Sequence, residues 1–225
     1  MIERLIVGPM ETNCYLYSNG KKECIVIDPG GSELQIVSSI NMLKMIPAGI
    51  VLTHGHFDHT ASAGKLKNFY SKEGIDIPIA IHKADKNFLG KKSAKTNRET
   101  LKDLGIPNPE EFVDFFSDLP EPDVILKEGD TVFNTDLIVL ETPGHTKGSI
   151  CLYSEKDSLV FSGDSLFFMS IGRTDLPGGD EKTLLDAIRS KILTLPPETR
   201  VFPGHGLDTT IEREIKGNPF FRLPH

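Results

Sequence analysis

Four apolar runs in this chain each end in a tight turn and then a histidine or an aspartate. Gly49 to Leu52 precedes His54, Leu137 to Leu140 precedes His145, Leu159 to Phe161 precedes Asp164, and Val201 with Phe202 precedes His205. Short apolar runs bounded by turn residues read as buried strands, so each polar residue falls just past the C-terminal end of its strand. A fold built this way delivers all four side chains to one edge of its sheets. Two stretches also look like copies of one unit. CYLYSNGKKECIVIDPGG, from Cys14, and ICLYSEKDSLVFSGDS, from Ile150, both read strand, polar turn, strand, then an aspartate near glycine. Leu16, Tyr17 and Ser18 match Leu152, Tyr153 and Ser154.

An amphipathic helix is expected after each hairpin. Ser32 and Gln35 have capping-box spacing ahead of Val37, Ile40, Leu43 and Ile46, and Leu184, Leu185, Ile188 and Ile192 recur at helical spacing. Helices covering the outer faces of two stacked sheets give an α+β fold, a four-layer αββα sandwich with an internal two-fold pseudo-repeat. The 225 residues suit one such domain, residues 1–225, with an inserted helical or loop segment at about 83–123. Lys83 to Lys102 holds seven Lys or Arg, and the acidic stretch that follows carries Pro107, Pro109, Pro120 and Pro122.

Composition narrows the function classes. A formal charge of −7 argues against a nucleic-acid partner, because a phosphate backbone needs a basic field. No stretch approaches the roughly 20 apolar residues of a membrane span, and MIERLIVGPM lacks a signal-like apolar run, so no membrane partner is expected and a cytoplasmic location is. Cys14, Cys24 and Cys151 lie far apart with no C-x-x-C spacing, which excludes a disulfide scaffold and a cysteine-rich zinc module.

The chemistry concentrates in Thr53-His54-Gly55-His56-Phe57-Asp58-His59, with four potential metal ligands within six positions. On an extended loop His54 and His56 point the same way, and Asp58 and His59 return a second pair once the chain turns into a helix. Histidines spaced two, three and five apart do not fit the H-E-x-x-H helix of a metalloprotease. His145 and His205 each follow a Pro-Gly turn, a sharp stop that fixes a side chain at a strand end. Asp164 is the natural bridge, since a carboxylate has two oxygens and can span two cations.

These residues together resemble the metallo-β-lactamase fold superfamily: the T-H-G-H-F-D-H run, ETPGHTKGS around His145, S-G-D around Asp164 and F-P-G-H around His205. The resemblance implies one metal on His54, His56 and His145, a second on Asp58, His59 and His205, and Asp164 with a hydroxide bridging them. Asp28-Pro29-Gly30-Gly31, Ile171-Gly172-Arg173-Thr174-Asp175 and the late Asn218-Pro219-Phe220 are similar to the glyoxalase II group, the hydroxyacylglutathione hydrolases, in its short bacterial branch. The implied cofactors are two divalent ions, zinc first, with iron or manganese as alternatives.

The implied reaction is attack of the shared hydroxide on the carbonyl of an anionic thioester, S-lactoylglutathione or a related hydroxyacyl thioester. Asp58 would ligate its metal and orient the nucleophile. Arg173 and the basic residues Lys91, Lys92 and Lys95 are the candidates for meeting the substrate's carboxylates. The competing reading is a persulfide dioxygenase, which resembles glyoxalase II but uses one iron to oxidise glutathione persulfide. Histidine and carboxylate ligands suit iron as well as zinc, and the full second ligand set favours the hydrolase.

Overall fold

The computed structural model describes residues 1–116 and 119–221; Ser117 and Asp118, inside the expected insertion, and residues 222–225 lie outside the described residues. The first half contains β1 (Ile2–Val7), β2 (Thr12–Tyr17), β3 (Glu23–Ile27), α1 (Glu33–Met42), β4 (Ile46–Val51), α2 (Phe57–Thr60), α3 (Ala63–Lys72), β5 (Ile79–His82), α4 (Ser93–Asp103) and β6 (Val124–Leu126). Its six strands form one sheet in the order β1-β2-β3-β4-β5-β6, antiparallel up to β3 and parallel beyond it. The second half contains β7 (Ile138–Glu141), β8 (Ile150–Ser154), β9 (Leu159–Gly163), β10 (Leu166–Phe167), β11 (Ser170–Ile171), α5 (Glu181–Ala187), β12 (Arg200–Pro203), β13 (Thr209–Thr210) and α6 (Ile211–Gly217). Its main sheet runs β13-β12-β9-β8-β7, and β10 with β11 form a separate hairpin.

The pseudo-repeat is visible in the connections. Hairpin β2-β3 leads through α1 to the parallel neighbour β4, and hairpin β8-β9 leads through α5 to the parallel neighbour β12. Side-chain alternation then sorts the apolar residues into three cores. On β2 and β3, Cys14, Leu16, Cys24 and Val26 face a core under the first helices, whereas Tyr15, Tyr17, Ile25 and Ile27 face the other sheet. On β8 and β9, Leu152 and Phe161 enter that same inter-sheet core, and Cys151 and Val160 face α5. Phe161 is its centre, with its ring 5.0 Å from that of Tyr15, 5.7 Å from Tyr17 and 5.5 Å from Phe202. Strands buried on both faces have to read as continuous apolar runs, which is why the ends of β4, β9 and β12 stood out in the sequence, whereas β7 lies at the sheet edge and is half-exposed.

One local expectation is corrected. Ser32 does not cap α1 with its side chain; it sits in the left-handed region at φ 55°, and its Oγ accepts from the Gly8 amide at 3.3 Å. The helix also stops at Met42, and Ile46 belongs to β4. A bond across to the β1-β2 turn competes here with the local cap. Between residues 83 and 115 the chain forms 3₁₀ turns (Lys83–Phe88, Gly90–Lys92, Pro109–Phe115) around α4. Leu89, Leu101 and Phe116 from this stretch are buried in the first core, so it forms part of the helical layer over the first sheet.

Candidate metal centre

The ends of β4, β7, β9 and β12 converge, and the loops after them bring six of the seven predicted ligands into two trios. His54, His56 and His145 form one, and Asp58, His59 and His205 form the other, with the ligand atoms of each trio within 4.8 Å of one another. His145 Nε2 lies 3.3 Å from His54 Nε2 and 3.0 Å from His56 Nδ1. His205 Nε2 lies 3.2 Å from both His59 Nε2 and Asp58 Oδ2. Asp164 stands between the trios, with Oδ1 3.4 Å from His59 Nε2 and Oδ2 3.6 Å from His145 Nε2 and 3.7 Å from His205 Nε2.

Hydrogen bonds around the rings decide which nitrogens carry protons. His145 Nδ1 donates to the Arg173 carbonyl at 2.7 Å, and His59 Nδ1 donates to Asp28 Oδ2 at 3.0 Å. Thr53 Oγ1 donates to Asp28 Oδ2 at 2.6 Å, so it accepts from His54 Nδ1 at 3.2 Å. All three rings therefore present Nε2 to the centre. Lone pairs facing each other at hydrogen-bond distance repel unless a cation or proton lies between them. Asp164 Oδ1 is buried with no hydrogen-bond partner among the described residues, as is His56 Nε2. A buried, unpartnered carboxylate oxygen beside converging imidazoles fits a metal centre.

Two buried aspartates hold this arrangement, and sequence reasoning assigned neither of them a role. Asp28, after β3, accepts from His59, the Thr53 hydroxyl and the Thr53 amide (2.8 Å), so one carboxylate sets both His54 and His59. Asp85, after β5, accepts from the Gly55 amide at 2.9 Å, the Gly148 amide at 2.8 Å and Thr146 Oγ1 at 2.7 Å. It ties the loop carrying His54 and His56 to the loop carrying His145. Burial pushes the Asp85 carboxyl up, and these three donors oppose that shift. Both follow apolar strands, so the rule that found the ligands would have flagged them. From the first sheet, Asn13 Nδ2 reaches the Pro203 and Gly206 carbonyls at 3.0 and 2.9 Å and pins the loop carrying His205. Gly204 in that loop must lack a side chain, because a Cβ would run into Asp164 Oδ1 and the His59 ring.

The two trios differ electrostatically. Burial and the neighbouring imidazoles hold His54 far below the usual histidine range and His56 down to about 3. Burial also opposes charge on His59, but Asp164, Asp58 and Asp28 outweigh it and lift the ring to about 10. His205 is raised against its burial by its bond to Asp58 and by Asp164. Asp58 is held below the carboxylate range: burial opposes this, and His59 and His205 prevail. Near neutral pH, His54 and His56 are thus neutral and ready to ligate, whereas His59 must give up a proton to a metal. Calorimetry in buffers of different ionisation enthalpy should show proton release when the second site, which contains His59, is loaded. Affinity for the second ion should fall as pH drops from about 8 to about 6.

The remaining predicted site residues divide. The centre forms the floor of a cavity of about 680 Å³, which Arg173 lines. The Arg173 guanidinium, however, makes a two-pronged bond to Asp175 at 2.7 and 2.8 Å. Its carbonyl is the group that touches the site. Lys91, Lys92 and Lys95 are exposed and do not line the cavity; Lys95 faces Glu99 at 3.8 Å.

Two stacked sheets between helical layers, with loops at one edge bringing together His and Asp groups able to hold metal ions, define a metallo-hydrolase type of fold. The family model for the metallo-β-lactamase superfamily matches residues 7–205, and the chain belongs to that superfamily. Among curated relatives, it is 38% identical to a Bacillus subtilis protein named probable metallo-hydrolase YqgX, over 96% of this chain and 95% of that one. It is 34% identical to hydroxyacylglutathione hydrolase GloC of Haemophilus influenzae, over 97% of each. Among solved structures, BLEG-1, titled a B3 metallo-β-lactamase, superposes with a TM-score of 0.82 at 33% identity, covering 98% of this chain and 99% of that one. TTHA1623 in a di-iron-bound form superposes at 0.77 with 34% identity, covering 97% and 99%. No helix among the described residues is long and apolar enough to cross a membrane.

Proposed function

We propose that this chain hydrolyses thioesters, using two metal ions held by His54, His56, His145 and by Asp58, His59, His205, with Asp164 between them. The observation that carries this reading is the second trio, complete and within reach of the first through Asp164. Bound there, the two cations would supply a water acidic enough to act as a nucleophile near neutral pH and positive charge to stabilise the oxyanion. Asp58, with its carboxylate held ionised, would help hold the second ion and orient the nucleophile toward the cavity that it lines. Asp28 and the Arg173 carbonyl fix the His59 and His145 rings, so that little reorganisation is needed on reaction.

The choice of thioester rests on what lines the cavity. Besides the ligands, its polar side chains among the described residues are Thr100, Ser170 and the paired Arg173. None is a ready acid. An amide or lactam nitrogen needs a proton as it leaves, whereas a thiolate departs unaided. The likeness to GloC supports the same choice and makes a hydroxyacylglutathione such as S-lactoylglutathione the first compound to assay. Free-thiol release should be readily measured with the metal-loaded enzyme and lost on chelation, and a β-lactam should be turned over at least about 10²-fold less efficiently. Efficient lactam hydrolysis with no thiol release from any thioester would overturn the reading.

A further inference from the structure

The cavity above the metal centre is walled by apolar side chains from four separate parts of the chain. Met10 comes from the β1-β2 turn, Leu104 and Ile106 from just beyond α4, Phe167 and Ile171 from the β10-β11 hairpin, and Leu176 from the loop after Arg173. Ile171 and Leu176 are buried, and Leu104, Ile106 and Phe167 are half-buried. The hairpin is clamped from behind. Glu214, fully buried, accepts from the Met169 amide at 3.0 Å, and Asn218 Nδ2 donates to the Ser170 carbonyl at 3.1 Å and to Glu214 Oε2 at 2.8 Å. Asn218, from the Asn218-Pro219-Phe220 motif, thus supports the cavity wall. Among the described residues the only lining cation outside the centre is Arg173, and Asp175 already neutralises it.

A pre-formed cavity with this lining selects for the apolar surface of its ligand. Resting on the thioester reading, we propose that the preferred substrate presents an apolar acyl group, an unbranched or aromatic chain of several carbons, to this wall. The hydroxyl of a hydroxyacyl group finds few partners there, and the carboxylates of a glutathione carrier find no free cation. The carrier's charges stay in solvent at the mouth, and the acyl chain provides the selectivity.

The test uses the zinc-loaded enzyme and two homologous series. Affinity for the free carboxylates acetate, butanoate, hexanoate and octanoate, measured by calorimetry, should rise about fourfold for each methylene buried, until the cavity is filled. For glutathione thioesters of the same acids, kcat/KM should rise in parallel, with hexanoyl exceeding lactoyl by at least about tenfold. Leu104→Asp and Ile106→Asp, at half-buried positions, should flatten both slopes. Thioester hydrolysis that is flat with chain length, or best with lactoyl, overturns the apolar-acyl inference and leaves the hydrolase intact. Carboxylate affinity that climbs with chain length while no thioester is cleaved upholds the apolar site and overturns the hydrolase reading. The parent series does not depend on how well either variant folds.

Discussion

Asp164→Ala should lower metal content at both sites and reduce hydrolysis by about 10³-fold or more. The carboxylate lies within 3.4 to 3.7 Å of ring nitrogens from both trios, and among the described residues its Oδ1 has no other partner. Without it, two cations would face each other with less negative charge to offset their repulsion, so neither site keeps its affinity. His205→Ala removes a ligand of one trio only and should leave about one ion per chain. The contrast between the variants is the informative part. Loss of one and the same ion in both would mean that Asp164 serves a single site.

Asp28→Ala should be nearly as damaging, although Asp28 belongs to neither predicted trio. Its carboxylate is buried and takes three hydrogen bonds, two from Thr53 and one from His59. Removing a partner from a buried, charge-assisted network of this kind costs about 3–5 kcal/mol. In addition, His59 would lose its orientation and one of the charges that raise it, and loss of such a supporting contact typically weakens metal affinity about 10–100-fold. Thermal melts with and without zinc would separate the two effects. Asp28→Asn keeps most of the shape and can still accept from Thr53, so it should recover much of the stability but little of the second site's affinity. Equal zinc affinity in the parent and Asp28→Ala would show that His59 is positioned by packing alone.

Most of the candidate ligands were legible in the sequence because a strand buried on both faces, such as β9, betrays itself by continuous apolarity, and the residue after its end has few places to go. Asp28 and Asp85 obey the same rule and were passed over because an isolated aspartate after a strand is also an ordinary turn residue. Their work depends on which loop lies opposite, a matter of sheet order that no local pattern encodes. The lysines show how little a charge run says about placement. A run of positive charge suggested substrate contact, but α4 turns Leu101 into the core while Lys91, Lys92 and Lys95 face solvent. The apolar wall was illegible for a third reason: it is assembled from residues separated by more than 160 positions, and no periodicity links Met10 to Leu176.

The central claim is that two metal ions act together on a hydrolytic reaction, and the most direct test pairs metal analysis with turnover on the same purified sample. Close to two ions per chain are expected, with thioester hydrolysis that disappears on chelation, returns with added zinc and consumes no oxygen. One tightly held iron per chain, with oxygen uptake in the presence of a glutathione persulfide and no thioester cleavage, would contradict it.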